Sequence, residues 1–126
     1  MHKLPSAHEI FKRIAEHLRT QGRPAYAEDN WSCRYRAESG LSCAVGCLIP
    51  DELYNPRFEG KAAPAVINSL YKSGLADWRE HTNLLEALQE LHDNCELTRK
   101  GTFHKRQLAS RLREIAQRFS LEPFSC

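Results

Sequence analysis

Three of the chain's five cysteines, Cys33, Cys43 and Cys47, fall inside one stretch, Trp31 to Tyr54, that reads WSCRYRAESGLSCAVGCLIPDELY. The same stretch carries the clearest strand pattern of the sequence, so it constrains what the remaining segments must cover. Trp31, Cys33 and Tyr35 alternate with Ser32, Arg34 and Arg36, which is the period of a half-buried strand, and Glu38-Ser39-Gly40 is turn chemistry. Leu41 to Val45 reads as the returning strand of an antiparallel hairpin. Loop length decides which cysteines meet. A five-residue loop, Arg36 to Gly40, sets Cys33 opposite Cys43 on one face, whereas a four-residue loop puts them on opposite faces. Beyond Gly46, Pro50 pushes Ile49 extended and opens a turn that holds Asp51 and Glu52.

Helical periodicity surrounds this stretch. Ser6 and Glu9 stand at capping-box spacing ahead of Ile10, Phe11, Ile14 and Leu18, which predicts a helix over Ala7 to Gln21 ended by Gly22 and Pro24. Lys61 to Ser73 reads as a second helix with Pro64 in its first turn, Val66, Ile67 and Leu70 facing inward, and Gly74 as its stop. Thr82 or Asn83 caps a third helix, which carries Leu84, Leu85, Leu88 and Leu91 and runs to Cys95. After a basic turn, Arg99 to Thr102, a fourth helix from His104 to Phe119 buries Leu108, Leu112, Ile115 and Phe119. The tail from Ser120 to Cys126 reads as irregular. The expected fold is α+β, a single domain spanning residues 1–126, with about four helices packed around one short antiparallel β-hairpin.

With 126 residues and 41% apolar side chains, such a domain can build one core without disulfide or metal staples. No apolar run approaches the ~20 residues that span a bilayer, and Lys3, Glu9, Lys12 and Arg13 occupy the region where a signal peptide needs apolar residues. The expectation is a soluble intracellular protein with no membrane partner and with its odd number of cysteines reduced. No phosphate loop, Rossmann glycine set or H-E-x-x-H motif is present.

Two site chemistries compete for the cysteines. Cys33, Cys43 and Cys47 are spaced C-x9-C-x3-C, and His92 and Cys95 share a helix face at i, i+3. These five are candidate ligands for a tetrahedral structural zinc, because thiolate and neutral imidazole suit that ion. The plain alternative is that the cysteines are small apolar core residues with no cofactor at all. A catalytic reading takes Cys43 as nucleophile and His92 as its base, a small cysteine hydrolase or transferase, since an imidazole can generate thiolate at neutral pH. Asp93, adjacent in sequence, reads as a poor orienter for His92. His2, His8, His17, His81 and His104 read as solvated.

Charge is unevenly placed. From Arg99 to Arg118 seven basic residues face only Glu114, a segment charge of +6, and because the whole chain carries +2 the remainder carries −4. Such a split predicts an anionic partner for the C-terminal segment or a basic helix docked on an acidic body. Arg99, Lys100, Lys105 and Arg106 cluster at the start of the fourth helix, the wrong end for the helix dipole, with Arg111 and Arg113 following. These six are the candidate partner-binding residues, for a protein, a nucleoprotein complex or nucleic acid.

The segment Cys33-x-Tyr35-Arg36, followed by Gly40-Leu41-Ser42-Cys43-Ala44-Val45-Gly46 and Leu48-Ile49-Pro50-Asp51-Glu52-Leu53-Tyr54, resembles small uncharacterised bacteriophage and prophage proteins. Asn83-x-x-Leu-Leu and Leu88-Gln89-x-x-His92-Asp93 add to the likeness. The resemblance implies a non-enzymatic accessory protein in the cytoplasm of a bacterial host that binds a host macromolecule, including an inhibitor of host defence. It brings no catalytic residue.

Overall fold

The first helix, α1 (Ala7–Gln21), begins where Ser6 Oγ accepts the Glu9 N–H at 3.3 Å and ends at Gly22, whose φ of +72° lets its N–H reach the Leu18 carbonyl. The structure is a computed structural model and describes residues 1–27 and 32–121. Trp31, part of the expected strand, and residues 122–126 of the expected tail lie outside the described residues. Helix α2 (Ala63–Lys72) carries Pro64 in its first turn, where the missing N–H costs no helix bond. A 3-10 turn, Arg79–His81, leads into α3 (Thr82–Asn94). Thr82 does not cap α3 with its side chain: its Oγ1 donates to the Arg79 carbonyl at 2.8 Å. Helix α4 (Lys105–Arg118) starts with His104 Nδ1 accepting the Gln107 N–H at 3.3 Å.

The helices meet in one continuous core. Ile10, Ile14 and Leu18 of α1, Val66, Ile67 and Leu70 of α2, Leu85 and Leu88 of α3 and Leu112 of α4 are each at most 1% exposed. Burying side chains of this size stabilises by about 1.5–3 kcal/mol each before the entropy of ordering them is counted. No helix among the described residues is long and apolar enough to cross a membrane.

The expected antiparallel hairpin is not formed, which makes the architecture helix-rich with a minimal sheet. Among the described residues the strands are β1 (His2–Lys3) and β2 (Ala76–Asp77), which pair in parallel, His2 against Ala76 and Lys3 against Asp77. In the cysteine-rich stretch the chain does reverse, but only one antiparallel bridge, Arg36 with Ser42, marks the place. That register sets Tyr35 opposite Cys43, the Cys43 N–H donating to the Tyr35 carbonyl at 3.3 Å, so Cys33 and Cys43 are not partners.

The reason is where the backbone groups go. The N–H groups of Tyr35 and Arg36 donate to the two carboxylate oxygens of Glu59, at 2.8 and 3.1 Å, instead of to a neighbouring strand. Past Cys43 the chain bends into a 3-10 turn, Gly46–Leu48, which brings Gly46 against the Tyr35 backbone. A Cβ on Gly46 would stand 2.0 Å from the Tyr35 oxygen, so only glycine fits. On its other side, Cys33 bridges Tyr26. Short 3-10 turns at Asp51–Leu53 and Pro56–Phe58 carry the chain on to α2.

Candidate functional site

Polar side chains from the helices satisfy this irregular half of the molecule. Gln89 and His92 of α3 are buried, His92 completely, although both stand on a face otherwise built of leucine. Gln89 Oε1 accepts the Val45 N–H at 3.0 Å, and His92 Nε2 accepts the Ala25 N–H at 2.9 Å. Because Nε2 is the acceptor, the ring proton sits on Nδ1, which donates to Asp93 Oδ1 at 2.8 Å. Gln89 Nε2 donates to the same oxygen at 3.0 Å, and the Cys33 thiol donates to the Asp93 carboxylate as well. Asp93 is therefore the hub of a network that ties residues 25, 33 and 45 to one helix. Gln21 of α1 does a similar task, taking the Ser42 N–H on Oε1 and returning Nε2 to the Ser42 carbonyl, both at 2.9 Å.

Electrostatics agree with this reading. Burial works to raise the Asp93 pKa, but hydrogen bonds from His92, Cys33 and Gln89 outweigh it and hold the carboxyl below its ordinary value. Burial, then the hydrogen bond to Asp93, pushes the Cys33 thiol up to about 12. Burial likewise raises Cys47 to about 12, and raises Cys43 and Cys95. All four are free thiols held in the protonated form at neutral pH.

Of the five candidate zinc ligands, the structure gathers two. Cys33 and His92, with Asp93, offer ligand atoms within 4.8 Å of one another, a group that could hold a metal ion; Cys43, Cys47 and Cys95 are not part of it. Cys43 Sγ accepts the Gly46 N–H at 3.3 Å, and Cys47 Sγ donates to the Ala44 carbonyl at 3.1 Å. The donor types suit zinc, yet the imidazole as folded offers no lone pair: Nε2 is taken by Ala25, and Nδ1 carries the proton given to Asp93. For the catalytic pair, the same bonds occupy both ring nitrogens of His92, and Cys43 is 1% exposed. Asp93, dismissed on sequence as an orienter, does hold the His92 ring, since an adjacent side chain can fold back along the helix edge to Nδ1.

A cavity of about 310 Å³ borders the hub, and Cys33, Cys43, Lys61, Glu86, Glu90 and Asp93 are among its lining residues. Its lining mixes both charge signs, and the thiol hydrogen-bonded to a carboxylate there, Cys33 on Asp93, is held protonated by burial and by that bond.

The basic segment is a different surface. Between α3 and α4 the chain makes a tight antiparallel turn closed by the bridge of Leu97 with Phe103. The Thr98 N–H donates to the Thr102 carbonyl at 2.8 Å, their hydroxyls bond at 2.7 Å, and Gly101 supplies the positive φ of +80°. Gln107 Oε1 also accepts the Glu96 N–H, tying the turn's base to α4. Arg99 and Lys100 stand exposed at the tip, and Lys105 and Arg106 are exposed in the first turn of α4. None of the four joins an ion pair among the described residues. Arg113 follows Arg106 by seven residues and so shares its face, while Arg111 is half-buried in a groove with Glu90 and Glu114. Sequence reasoning missed Arg23. The Phe103 N–H donates to the Gly22 carbonyl at 2.8 Å, which docks the end of α1 on the turn, and Arg23 and Lys100 line one groove.

Comparison of the chain with known protein families, with curated proteins and with solved structures finds no match.

Proposed function

We propose that this protein works by stoichiometric binding and performs no turnover, gripping an anionic host macromolecule through the basic turn between α3 and α4. The observation that carries the reading is the set Arg99, Lys100, Lys105 and Arg106: four exposed cations, two at the tip of a hydrogen-bonded turn and two in the first turn of α4, none in an ion pair among the described residues. Lys105 and Arg106 also stand at the positive end of the α4 dipole, with no acidic residue in that first turn. Cations there work against the helix, by about 0.3–1 kcal/mol each at low salt, so a bound anion relieves a repulsion the fold leaves in place. The likeness to phage and prophage accessory proteins directs the search for that partner to a bacterial host and supports inhibition of a host process.

The test compares wild type with an R99A/K100A/K105A/R106A variant for retention of a partner captured from a bacterial host lysate, at low and high salt. Loss of retention in the variant, and in the wild type as salt rises, supports the reading. Equal retention by both proteins at both salt concentrations refutes it.

Zinc at Cys33, His92 and Asp93 is a second reading, favoured by the three ligand atoms within 4.8 Å. It would require the ion to displace the thiol proton of Cys33 and the Nδ1 proton, or else the Ala25 bond, of His92.

A further inference from the structure

Resting on that reading of the basic turn, we infer that its partner is the phosphate backbone of a double-stranded nucleic acid, engaged by Arg23, Arg99, Lys100, Lys105 and Arg106 together. Three observations separate this partner from an acidic protein and from a single strand. The first is composition. Protein interfaces are built on an apolar core with aromatic anchors and few lysines, whereas nucleic-acid interfaces are polar and positively charged. The exposed large hydrophobic residues of the described chain are Met1, Tyr71, Leu75 and Leu97, and of these only Leu97 belongs to the turn. Around it stand Thr98, Gly101 and Thr102 with the cations, and the apolar residues of the adjoining groove, Pro24, Tyr26, Ala27 and Leu41, are buried or half-buried, so what the turn exposes to a partner is mainly charge and hydroxyls.

The second observation concerns aromatic groups. Single strands are held by stacking bases on exposed aromatic rings. Within the turn Phe103 is 3% exposed and packs edge-on to His92 with ring centroids 6.0 Å apart, and in the groove that Arg23 and Lys100 line the one aromatic ring among the described residues, Tyr26, is half-buried, so no fully exposed ring is on offer. A double helix keeps its bases stacked on each other and presents phosphates, which need only cations and N–H donors.

The third is shape. The tip residues Arg99 and Lys100 project from a turn pinned at its base by the Phe103 to Gly22 bond, while Lys105 and Arg106 stand at the positive end of the α4 dipole. Arg23 extends the surface from a separate element. Among the described residues, Glu38 lines the groove with Arg23 and Lys100, and Glu96 sits at the base of the turn. Neither forms an ion pair with the five cations.

Fluorescence anisotropy of the full chain with labelled 20-base-pair DNA and RNA duplexes, and with the corresponding single strands, tests this. Five phosphate contacts predict a log–log salt slope near −4.5 on DNA, roughly a 500-fold loss of affinity between 50 and 200 mM salt, with little dependence on base sequence. The R23A/R99A/K100A/K105A/R106A variant should lose duplex binding, whereas a K12A/R57A/K72A control that removes exposed charge elsewhere should keep it. If the five-fold variant does not fold, R99A/K100A alone should flatten the slope by about 2. Binding of either duplex in this pattern supports the inference, and the two arms tell DNA from RNA. No duplex binding at 50 mM salt, tighter binding of single strands, or equal loss in the control overturns it. Should the duplex arms fail while the captured host partner is still lost on removing Arg99, Lys100, Lys105 and Arg106, the nucleic-acid inference falls and the broader binding reading stands.

Discussion

Replacing His92 with leucine puts an apolar side chain of similar volume at a fully buried position, so the substitution removes hydrogen bonds with little cavity. Two bonds go. The Ala25 N–H, 2.9 Å from Nε2, is left buried without its acceptor, and Asp93 loses the Nδ1 donor at 2.8 Å. An orphaned buried donor costs about 1–3 kcal/mol and a lost hydrogen bond about 1 more, for a total of about 2–4 kcal/mol. Urea denaturation should show the midpoint falling at constant m-value, and thermal melting a drop of roughly 7–14 °C for a chain of this length. A loss below about 0.5 kcal/mol, the range of an ordinary surface change, would sink the idea that His92 organises the irregular segment. The same melts discriminate the metal reading. The proton on Nδ1 predicts that wild type melts alike in chelator and in excess zinc. A zinc-dependent rise, about 2.7 kcal/mol at a hundred times Kd, that vanishes in H92L would reassign the cluster to a metal.

Gly46→Ala should destabilise by about 3 kcal/mol or more, because the added Cβ meets the Tyr35 carbonyl oxygen at 2.0 Å and neither backbone can yield cheaply; a melting midpoint within a degree of wild type would refute the close approach. Asp93 has its carboxyl held below the ordinary value of 3.8, so it binds fewer protons folded than unfolded. Its stabilisation is present above that value and lost as pH falls below it, and D93N should flatten the acid limb of a stability–pH profile; an unchanged limb counts against the hub. Cys33, pushed up from 9.0 to about 12, should be alkylated roughly 30-fold more slowly in the folded protein at pH 7.5 than in urea, its scarcer thiolate being partly offset by greater nucleophilicity. In a Cys126→Ser background, one fast-reacting thiol among Cys33, Cys43, Cys47 and Cys95 would revive the cysteine-enzyme reading.

The helices were legible because their signals are local. Ser6 and Glu9 at the start and Gly22 at the end bound α1 at the residues that capping chemistry selects, and Pro64 could only stand in a first turn. The hairpin was not, because a period of two reports extended backbone and says nothing of what accepts its N–H groups. Here Glu59, more than twenty residues away, takes two of them, and Gly46 turns the chain where a second strand would have continued. β1 and β2 are two residues each, too short to show any period. The site was half legible: His92 stands seven residues after Leu85 and four after Leu88, a core position by helical spacing, and Gln89 and Asp93 follow at i and i+4. Which thiol joins them depends on the path of residues 25–45, and spacing along the chain carries no information on that path.

One contact joins the two surfaces. Phe103 closes the basic turn, hands its N–H to the end of α1 and lays its ring edge-on against His92, so the tip carrying Arg99 and Lys100 is braced by the residue that orders the irregular segment. The network around Asp93 is half-buried and hydrogen-bonded, with His92, Gln89 and Cys33 all donating to one carboxylate, and groups so arranged stabilise a fold. The cations of the turn have the reverse character, exposed and outside any ion pair among the described residues, and their removal should cost the fold within about half a kcal/mol. On the proposed reading, stability and recognition reside in different chemical groups that both contact Phe103. Such a division lets a small helical domain present a hydrogen-bonded charged turn with hardly any sheet behind it, because side-chain acceptors on α1 and α3 and the Glu59 carboxylate do the pairing that a β-ladder would otherwise supply.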